Sequence, residues 1–286
     1  MESVNGSAPL QIFKSDCCER AVAEYKEVIQ VTTQLLIYGQ VEAVNKQRHV
    51  DWSIKAENNY NFAKQVNSVP LMAVEFPNAA ADYSIVFAGE GDEVLPVVVM
   101  GVREDENLYI EEDGSWKAGY VPAFIRRYPF VFASTDEGQT LTLCLDESYE
   151  GCNQDGRGER LFDAEGEQTQ YLGKVLDFLQ DYQSHYSRTQ SFCKKLNELD
   201  LFEEMGARFT LPSGEERTLT GFKVISREKL KALPQEELAV LMANDGLELI
   251  YLHLQSMRNL GKVLERLPQE AAAEAETDTT EEADLH

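Results

Sequence analysis

Residues 120–130 read Tyr120-Val-Pro-Ala-Phe-Ile-Arg-Arg-Tyr-Pro-Phe130. Pro122 favours the start of a short helix, and the residue before Pro129 is pushed to an extended conformation by the proline ring. A helix in this segment therefore has room for about 1.5 turns. Arg126 and Arg127 would lie near its C-terminal end, where the helix dipole favours positive charge. In a strand the two side chains would point to opposite faces, so either geometry predicts one inward arginine.

The arginine segment is the candidate ligand-binding site of the chain. An inward guanidinium among aromatic rings has the planar fork that binds the carboxylate of a peptide or an amino acid. The alternative, which we favour, is an internal ion pair with Glu75, Asp146 or Glu147, because a buried arginine needs a partner. We expect the segment to border the main pocket, with candidate ligand-binding residues Tyr120, Arg126, Arg127, Tyr128 and Glu75.

Strand and turn signals alternate from Val69 to Phe162. Asp113-Gly114 is a hairpin signal, since glycine tolerates the positive φ of such a turn. Several short runs at roughly ten-residue spacing predict an antiparallel sheet or half-barrel. The β-type runs are residues 70–76, 83–87, 97–100, 108–110, 130–132 and 141–145. Residues 41–54 also alternate loosely, with several β-branched side chains.

The hydrophobic period changes to about 3.6 residues after Gly166, which predicts helices. One apolar stripe runs from Tyr171 to Tyr182 and continues through residues 192–199. Residues 207–225 return to a short β meander, with the turn at Pro212-Ser-Gly214. Ser226 then has the position of an N-cap, Pro234 opens a further helix, and Leu247–Leu267 forms the last one. The fold class is therefore α+β, a β-rich first half packed by helices of the second half.

Composition divides the chain into three parts. Residues 1–34 are predicted to be an N-terminal extension with a helix that begins at Ser15 or Asp16. Residues 35–267 form one α+β domain, because no linker separates the strand-rich and helical parts. Residues 268–286 are predicted to be a disordered acidic tail, since Glu270–His286 contains seven acids and no Lys or Arg.

The charge balance limits the classes of partner. The formal net charge is −24, which opposes binding to nucleic acid or to anionic membranes. It favours a basic partner protein. No apolar run approaches the roughly 20 residues that cross a bilayer, and no basic, then apolar, leader is visible, so we expect a cytoplasmic protein. Five cysteines are an odd number without ligand spacing, and we expect reduced thiols.

One pattern suggests a metal site. His49-Val-Asp51 would place two ligands on one face of a strand, as in the facial triad of non-haem iron oxygenases. The remaining internal histidines, His185 and His253, fall in helical patterns on core-edge or surface positions. A structural His49 is therefore the preferred interpretation, and iron stays the alternative cofactor. No nucleophile elbow or phosphate loop is visible, so we lean away from an enzyme.

Several further landmarks accompany the arginine segment from about Leu35 to Leu267. They include Tyr38, Arg48-His49, Tyr60-Asn-Phe-Ala63, Asn67-Ser-Val-Pro-Leu71, Glu75-Phe-Pro77, Asp113-Gly-Ser-Trp116, Gly158-Glu-Arg-Leu-Phe-Asp163 and His253-Leu-Gln-Ser256. Together with the arginine segment they resemble the SapC family of bacterial surface-layer-associated proteins. Ser84 departs from that pattern, where the family leads us to expect proline. The resemblance implies an accessory or peptide-binding role beside a surface-layer or peptide and nutrient uptake system, and it assigns no catalytic residue.

Overall fold

A computed structural model describes residues 36–103, 105–134, 140–210 and 216–267. The chain divides into two compact units, each built from two chain segments: unit 1 holds residues up to 58 and 125–183, and unit 2 holds residues 59–124 and those from 184 onward. The predicted N-terminal extension, the acidic tail and the turn at 212–214 lie outside the described residues. A single domain over residues 35–267 stays a prediction.

The described chain alternates short strands with mostly short helices. Four 3-10 turns lie at Asn61–Ala63, Ala73–Glu75, Gly91–Glu93 and Met257–Asn259. The strands are β1 (Val41–Ala43), β2 (Ser53–Ile54), β3 (Ser68–Pro70), β4 (Ser84–Ala88), β5 (Leu95–Val99), β6 (Phe130–Ala133), β7 (Thr142–Asp146), β8 (Cys152–Asn153), β9 (Glu159–Arg160), β10 (Phe202–Thr210) and β11 (Glu216–Ile225). The helices are α1 (Lys46–His49), α2 (Phe76–Ala79), α3 (Ala123–Arg126), α4 (Gln170–Glu198), α5 (Arg227–Lys231), α6 (Gln235–Ala243), α7 (Gly246–Ser256) and α8 (Leu260–Glu265).

Unit 1 contains two small antiparallel sheets. In the first, β7 lies between β1 and β6, and Cys144 of β7 is opposite both Ala43 and Val131. In the second, β2 lies between β8 and β9. Leu145 and Phe162 belong to the main core of the unit, because their side chains exclude water together with the apolar stripe of α4. That stripe consists of Leu172, Leu176 and Leu179.

Unit 2 is built on a five-stranded antiparallel sheet with the order β10-β11-β4-β5-β3. The β-branched runs of β4 and β5 pair along their whole length, as expected for strands buried on a pleated surface. Strand β11 pairs with β10 but meets β4 only at Lys223 and Phe87. The core contains Phe87, Leu196, Leu241 and Ile250, so helices α4, α6 and α7 all contribute side chains to it.

The helices of the second half agree well with the 3.6-residue period. The two predicted stretches of apolar stripe belong to one uninterrupted helix, α4. Ser226 occupies the N-cap position of α5, although its side chain makes no capping hydrogen bond there. Pro234 is the residue before α6. Asp245, with a φ of 62°, interrupts the helical backbone between α6 and α7.

Two predicted strands are wrong. In the run of residues 70–76 the strand ends at Pro70, and a 3-10 turn and α2 follow it. This run is apolar without alternation, so its period cannot separate a strand from a buried turn of helix, and Pro77 favours a helix start. In residues 108–110 only Ile110 pairs, as an isolated bridge to Trp116. The turn between them is confirmed, with Gly114 at a φ of 84°.

The α+β class is confirmed, with antiparallel sheets in the first half and helices later. The described strands do not close into a barrel. Strands β10 and β11 come from the second half of the chain and extend the sheet begun by the first half. Among the described helices, none combines the length and the apolar character required to cross a membrane.

Candidate functional site

The two arginines of the 120–130 segment stack on neighbouring rings of α4. Arg126 is exposed, and its guanidinium carbon lies 5.4 Å from the ring centroid of Phe178. Arg127 is only 4% exposed, and its guanidinium carbon lies 4.9 Å from the ring centroid of Tyr182. Phe178 and Tyr182 are four residues apart, so they occupy one face of the helix. The inward arginine of the sequence prediction is therefore Arg127.

Arg127 is enclosed by aromatic side chains within unit 1. Its guanidinium carbon also lies 5.7 Å from the ring centroid of Tyr38. The Tyr38 hydroxyl donates to the carbonyl oxygen of Phe130 at 2.8 Å. Burial raises the pKa of Tyr38 far above its usual range, and the nearby Arg127 opposes only part of that shift. The phenol is therefore neutral, and the cation gains stability from ring faces as well as from polar contacts.

Tyr128 leads from this cation to a buried carboxylate. Its ring centroid is 5.3 Å from that of Tyr38, and its hydroxyl donates to Asp146 Oδ2 at 3.3 Å. Asp146 is 0% exposed. Burial alone would raise the pKa of Asp146, but hydrogen bonds to Ser148, Gly39 and Gln40 outweigh burial and lower the pKa. The carboxylate stays ionised because so many donors point at it.

Asp146 connects two loops that are far apart in the sequence. The backbone N–H groups of Gly39 and Gln40 donate to its two oxygens at 2.7 and 2.9 Å. Ser148 donates its N–H at 3.0 Å and its hydroxyl at 2.6 Å to Oδ1. A side chain at Gly39 would come within 2.7 Å of the Ser148 hydroxyl, so glycine permits this close approach. The carboxylate thus organises the loops around β7.

Glu75 and Tyr120 meet in unit 2, as the sequence prediction grouped them. Glu75 is 3% exposed, and its Oε1 accepts from the Tyr120 hydroxyl and from the Ala123 N–H, both at 2.7 Å. Its Oε2 accepts from the Met72 N–H at 2.8 Å. The Glu75 carboxylate therefore accepts backbone N–H groups from its own turn and from the first residue of α3, which is a structural role.

A second aromatic cluster in unit 2 was not found by sequence reasoning. The Trp116 indole N–H donates to the Tyr83 hydroxyl at 2.7 Å, and that hydroxyl in turn donates to the Tyr120 carbonyl oxygen. The Tyr83 and Tyr109 ring centroids are 4.6 Å apart. The guanidinium carbon of Arg266 lies 4.3 Å from the Tyr109 ring. Burial raises the pKa of Tyr109 to about 12, so this phenol is also neutral.

His49 and Asp51 lie in different surroundings, and the iron site stays a prediction. His49 ends helix α1 and is 0% exposed, whereas Asp51 is exposed and contacts Arg160 at 3.7 Å. The Asn45 N–H donates to His49 Nδ1 at 3.2 Å, so His49 Nε2–H donates to Glu147 Oε1 at 3.1 Å. The strand on which the metal prediction depended is absent here, because Asn45 caps α1.

A second histidine, His253, is also buried. His253 is 0% exposed, which corrects the prediction of a core-edge or surface position. Its Nδ1–H donates to the Ile85 carbonyl oxygen at 2.8 Å, and its Nε2 accepts from the Ile225 N–H at 3.1 Å. Burial lowers the pKa of His253 to about 4. Within the described residues no group of three or more His, Cys, Asp and Glu side chains could hold a metal ion.

His253 and Ser256 extend the hydrogen bonding of strand β4 where β11 no longer pairs with it. The Ile85 N–H donates to Ser256 Oγ at 3.0 Å. Side chains of α7 thus take donors and acceptors that a neighbouring strand would otherwise satisfy. The sequence signal for this role was the His253-Leu-Gln-Ser256 spacing, which places both side chains on one face of a helix.

The five candidate ligand-binding residues are therefore divided between the units. Glu75 and Tyr120 contact each other in unit 2, and Arg126, Arg127 and Tyr128 belong to unit 1. Glu147, one proposed ion-pair partner, accepts from Arg48 at 2.5 Å and from His49. The prediction that the segment borders the main pocket stays a prediction.

Comparison with known proteins gives one finding. The family model described as SapC matches residues 44–263, most of the described chain. Searches of curated proteins and of solved structures found no significant match. The match includes the arginine segment, Asp146 and both buried histidines.

Proposed function

The chain belongs to the SapC family, and on that premise we propose that it is a non-enzymatic accessory or binding protein of a surface-layer or peptide and nutrient uptake system. Its ligand is the carboxylate of a peptide or an amino acid. Its working compartment is the cytoplasm. The observation that carries this proposal is the exposed guanidinium of Arg126 above Phe178 in unit 1.

Arg126 has the chemistry and the support that carboxylate recognition needs. The guanidinium presents parallel N–H donors that match the two oxygens of a carboxylate. Contact with Phe178 orients this fork and lowers the entropy lost on binding. Because Arg126 is exposed in a chain of net charge −24, it is a local cation on a protein that otherwise repels anions.

Half-buried tyrosines in the same unit suit the rest of a peptide. Tyr128 lies between Tyr38 and Tyr149, with ring centroids 5.3 Å away on each side. The Tyr149 hydroxyl contacts the backbone of Lys55 and Glu57. Tyrosine rings combine a large apolar surface with a polar tip, which is the side-chain type enriched in binding surfaces.

The use of buried polar groups supports binding over catalysis. Glu75 and Asp146 each accept backbone N–H groups, and both nitrogens of His49 and of His253 make hydrogen bonds. Groups held in this way maintain the backbone. A general base needs a pKa near the working pH and access to a substrate proton.

The thiols support the proposed compartment. Cys152 and Cys193 are not in disulfide bonds, and burial raises the pKa of each to about 12. Such thiols are protonated and unreactive at neutral pH. A protein that keeps buried thiols reduced is typical of a reducing compartment.

The proposal is tested by titrating the full chain with a short peptide and with the same peptide amidated at its C-terminus. Calorimetry should give an affinity about tenfold lower for the amide, because a charge-assisted hydrogen bond is lost. Arg126→Ala should remove this difference. Arg126→Lys should recover only part of it, since an ammonium group cannot bind both oxygens in parallel.

Arg188→Ala is the matched control, because Arg188 is an exposed arginine of α4. It should leave both titrations unchanged. Equal binding of acid and amide, or equal losses in the Arg126 and Arg188 variants, would reject the carboxylate site. Turnover of the peptide during the titration would reject the non-enzymatic proposal.

A further inference from the structure

We infer that the outer face of helix α6, defined by Ala239, Val240, Met242 and Ala243, docks a basic amphipathic helix of a partner protein. Helix α6 spans Gln235–Ala243, and its inner side contributes Leu241 and Leu238 to the core of unit 2. The opposite side carries four apolar residues as well. A helix that is apolar on both sides has a second apolar surface, which a partner can bury.

The apolar residues of this face are largely exposed to solvent. Val240 is 49% exposed and Met242 is 69% exposed, and both alanines are exposed. On a helical projection the two alanines lie between Val240 on one side and Met242 on the other. The outer face of α6 therefore has small residues at its centre and larger apolar residues at its edges. A helix fits such a surface, because its side chains pack into the space above the alanines.

Charge around the face selects the partner. Residues 235–256 contain four acids and no Lys or Arg. Glu236 in the first turn of α6, Asp245 after its end and Glu248 in α7 are all exposed. Acidic residues near an apolar patch repel a second copy of this chain, whose net charge is −24, and attract cations. A helix with an apolar stripe between lysines or arginines is complementary to both features.

Met242 suits a partner whose side chains vary. Methionine is unbranched and polarisable, so it adapts to different apolar surfaces. A contact limited to one helix face buries less surface than a stable dimer, and we expect an affinity in the micromolar range, typical of transient partners. This surface lies in unit 2 and Arg126 lies in unit 1, so the inference does not depend on carboxylate binding.

The test uses the full chain and a synthetic helical peptide of about 14 residues that carries leucine on one face and lysine on the other. A second peptide has glutamate in place of lysine. Fluorescence anisotropy at about 150 mM salt should detect the lysine peptide and not the glutamate peptide. Val240→Ser combined with Met242→Ser should weaken binding by about tenfold, because both exposed apolar contacts are lost.

Two matched controls separate this face from general attraction to an acidic protein. Val74→Ser combined with Met205→Ser removes two other exposed apolar side chains and should change the affinity less than about twofold. Glu236→Gln combined with Glu248→Gln should weaken binding more than Glu90→Gln combined with Glu112→Gln, which neutralises two exposed acids elsewhere. Equal effects of the paired variants would overturn the inference.

The other possible occupants give different results. If residues 1–34 or 268–286 cover the face, deleting that segment should raise the affinity for the lysine peptide, and the inference of an external partner would be wrong. If a second copy covers it, sedimentation should show a dimer that the Val240→Ser, Met242→Ser variant dissociates, which would also overturn it. A monomer that binds the lysine peptide through this face agrees with the inference.

Discussion

Both units contain a buried carboxylate that is joined through tyrosines to an arginine. In unit 1, Asp146 accepts from the Tyr128 hydroxyl, the Tyr128 ring packs on Tyr38, and Tyr38 lies against Arg127. The carboxylate and the cation of this network are buried, but the two rings between them are only half-buried.

The network of unit 2 has the same order of groups and a different relation to solvent. Glu75 accepts from Tyr120, whose carbonyl oxygen accepts from Tyr83, and Tyr83 packs on Tyr109 beneath Arg266. Here the two central rings, Tyr83 and Tyr109, are 0% exposed. Tyr83 and Tyr109 therefore form core, whereas Tyr38 and Tyr128 keep part of their surface exposed.

The comparison teaches that similar side-chain chemistry does not by itself mark a binding site. Buried rings and carboxylates hold the backbone, and removing them should change stability. Removing half-exposed rings beside an exposed arginine should change ligand affinity with little effect on the free energy of unfolding. Four pairs of substitutions measure this difference.

The largest effect is expected from the two carboxylates. Asp146→Ala should lower the free energy of unfolding by about 4 kcal/mol, because the N–H groups of Gly39, Gln40 and Ser148 lose their buried acceptor. Glu75→Ala should cost about 3 kcal/mol, since it leaves fewer donors unpaired. Urea denaturation of each variant measures both values. A loss under about 1 kcal/mol for either residue would mean that its loops do not depend on the carboxylate.

The buried histidines should give the next largest effect, through pH. His253 has a folded pKa of about 4 against roughly 6.5 in the unfolded chain, so the unfolded state binds the proton more tightly. Its contribution of roughly 3 kcal/mol is fully present above pH of about 6.5 and is lost as the pH falls toward about 4. Unfolding free energies measured across this range should fall less steeply in His253→Gln than in the wild type.

His49 and a neighbour of His253 supply the controls for the pH prediction. Burial also lowers the pKa of His49, but Glu147 opposes the shift, so His49→Gln should change the pH slope less than His253→Gln. Gln255→Ala, an exposed position on α7, should keep the wild-type slope. Identical slopes in all three variants would mean that neither histidine couples folding to pH.

A smaller effect should separate the adjacent arginines of the 120–130 segment. Arg127→Ala should lower the free energy of unfolding by about 2–3 kcal/mol, because it removes a buried cation that contacts the rings of Tyr38 and Tyr182. Arg126→Ala should cost less than about 1 kcal/mol, since Arg126 is exposed. Thermal melts of both variants provide the measurement. A reversed order would place the inward arginine on the wrong residue.

The smallest effect compares one hydroxyl from each network. Tyr83→Phe should cost about 1–2 kcal/mol, because the Tyr83 hydroxyl lies in the core and contacts both Trp116 and Tyr120. Tyr128→Phe should cost about 0.5 kcal/mol, since its bond to Asp146 is long and Asp146 keeps other donors. Equal costs would show that the two networks are equally closed to solvent.

The arginine segment shows how far local sequence carries a prediction. Pro122 and Pro129 predicted a helix of at most about 1.5 turns, with a strand as the alternative, and either geometry predicted one inward arginine. The structure has a helix at Ala123–Arg126. The choice between Arg126 and Arg127 depended on Phe178 and Tyr182. Those rings lie about 50 residues away, and no local pattern reports their position.

The buried acids were less predictable. The sequence indicated Asp146 only as one possible ion-pair partner of an arginine, among 50 acidic residues. Its principal donors include the backbone of Gly39 and Gln40, more than a hundred residues earlier. Backbone N–H groups occur at almost every residue, so the sequence does not distinguish the few that a carboxylate will use.

The sequence by itself determined the α+β class, the antiparallel runs, the long helix α4 and the acidic character of the chain. These properties depend on side-chain period and composition over a few neighbouring residues. Only the tertiary structure decided that Arg127 is buried, that His49 pairs with Glu147, and that one aromatic cluster is core while the other is half-exposed. Burial and partner choice depend on groups that the chain brings together from distant positions, and their free energies arise only when water is excluded.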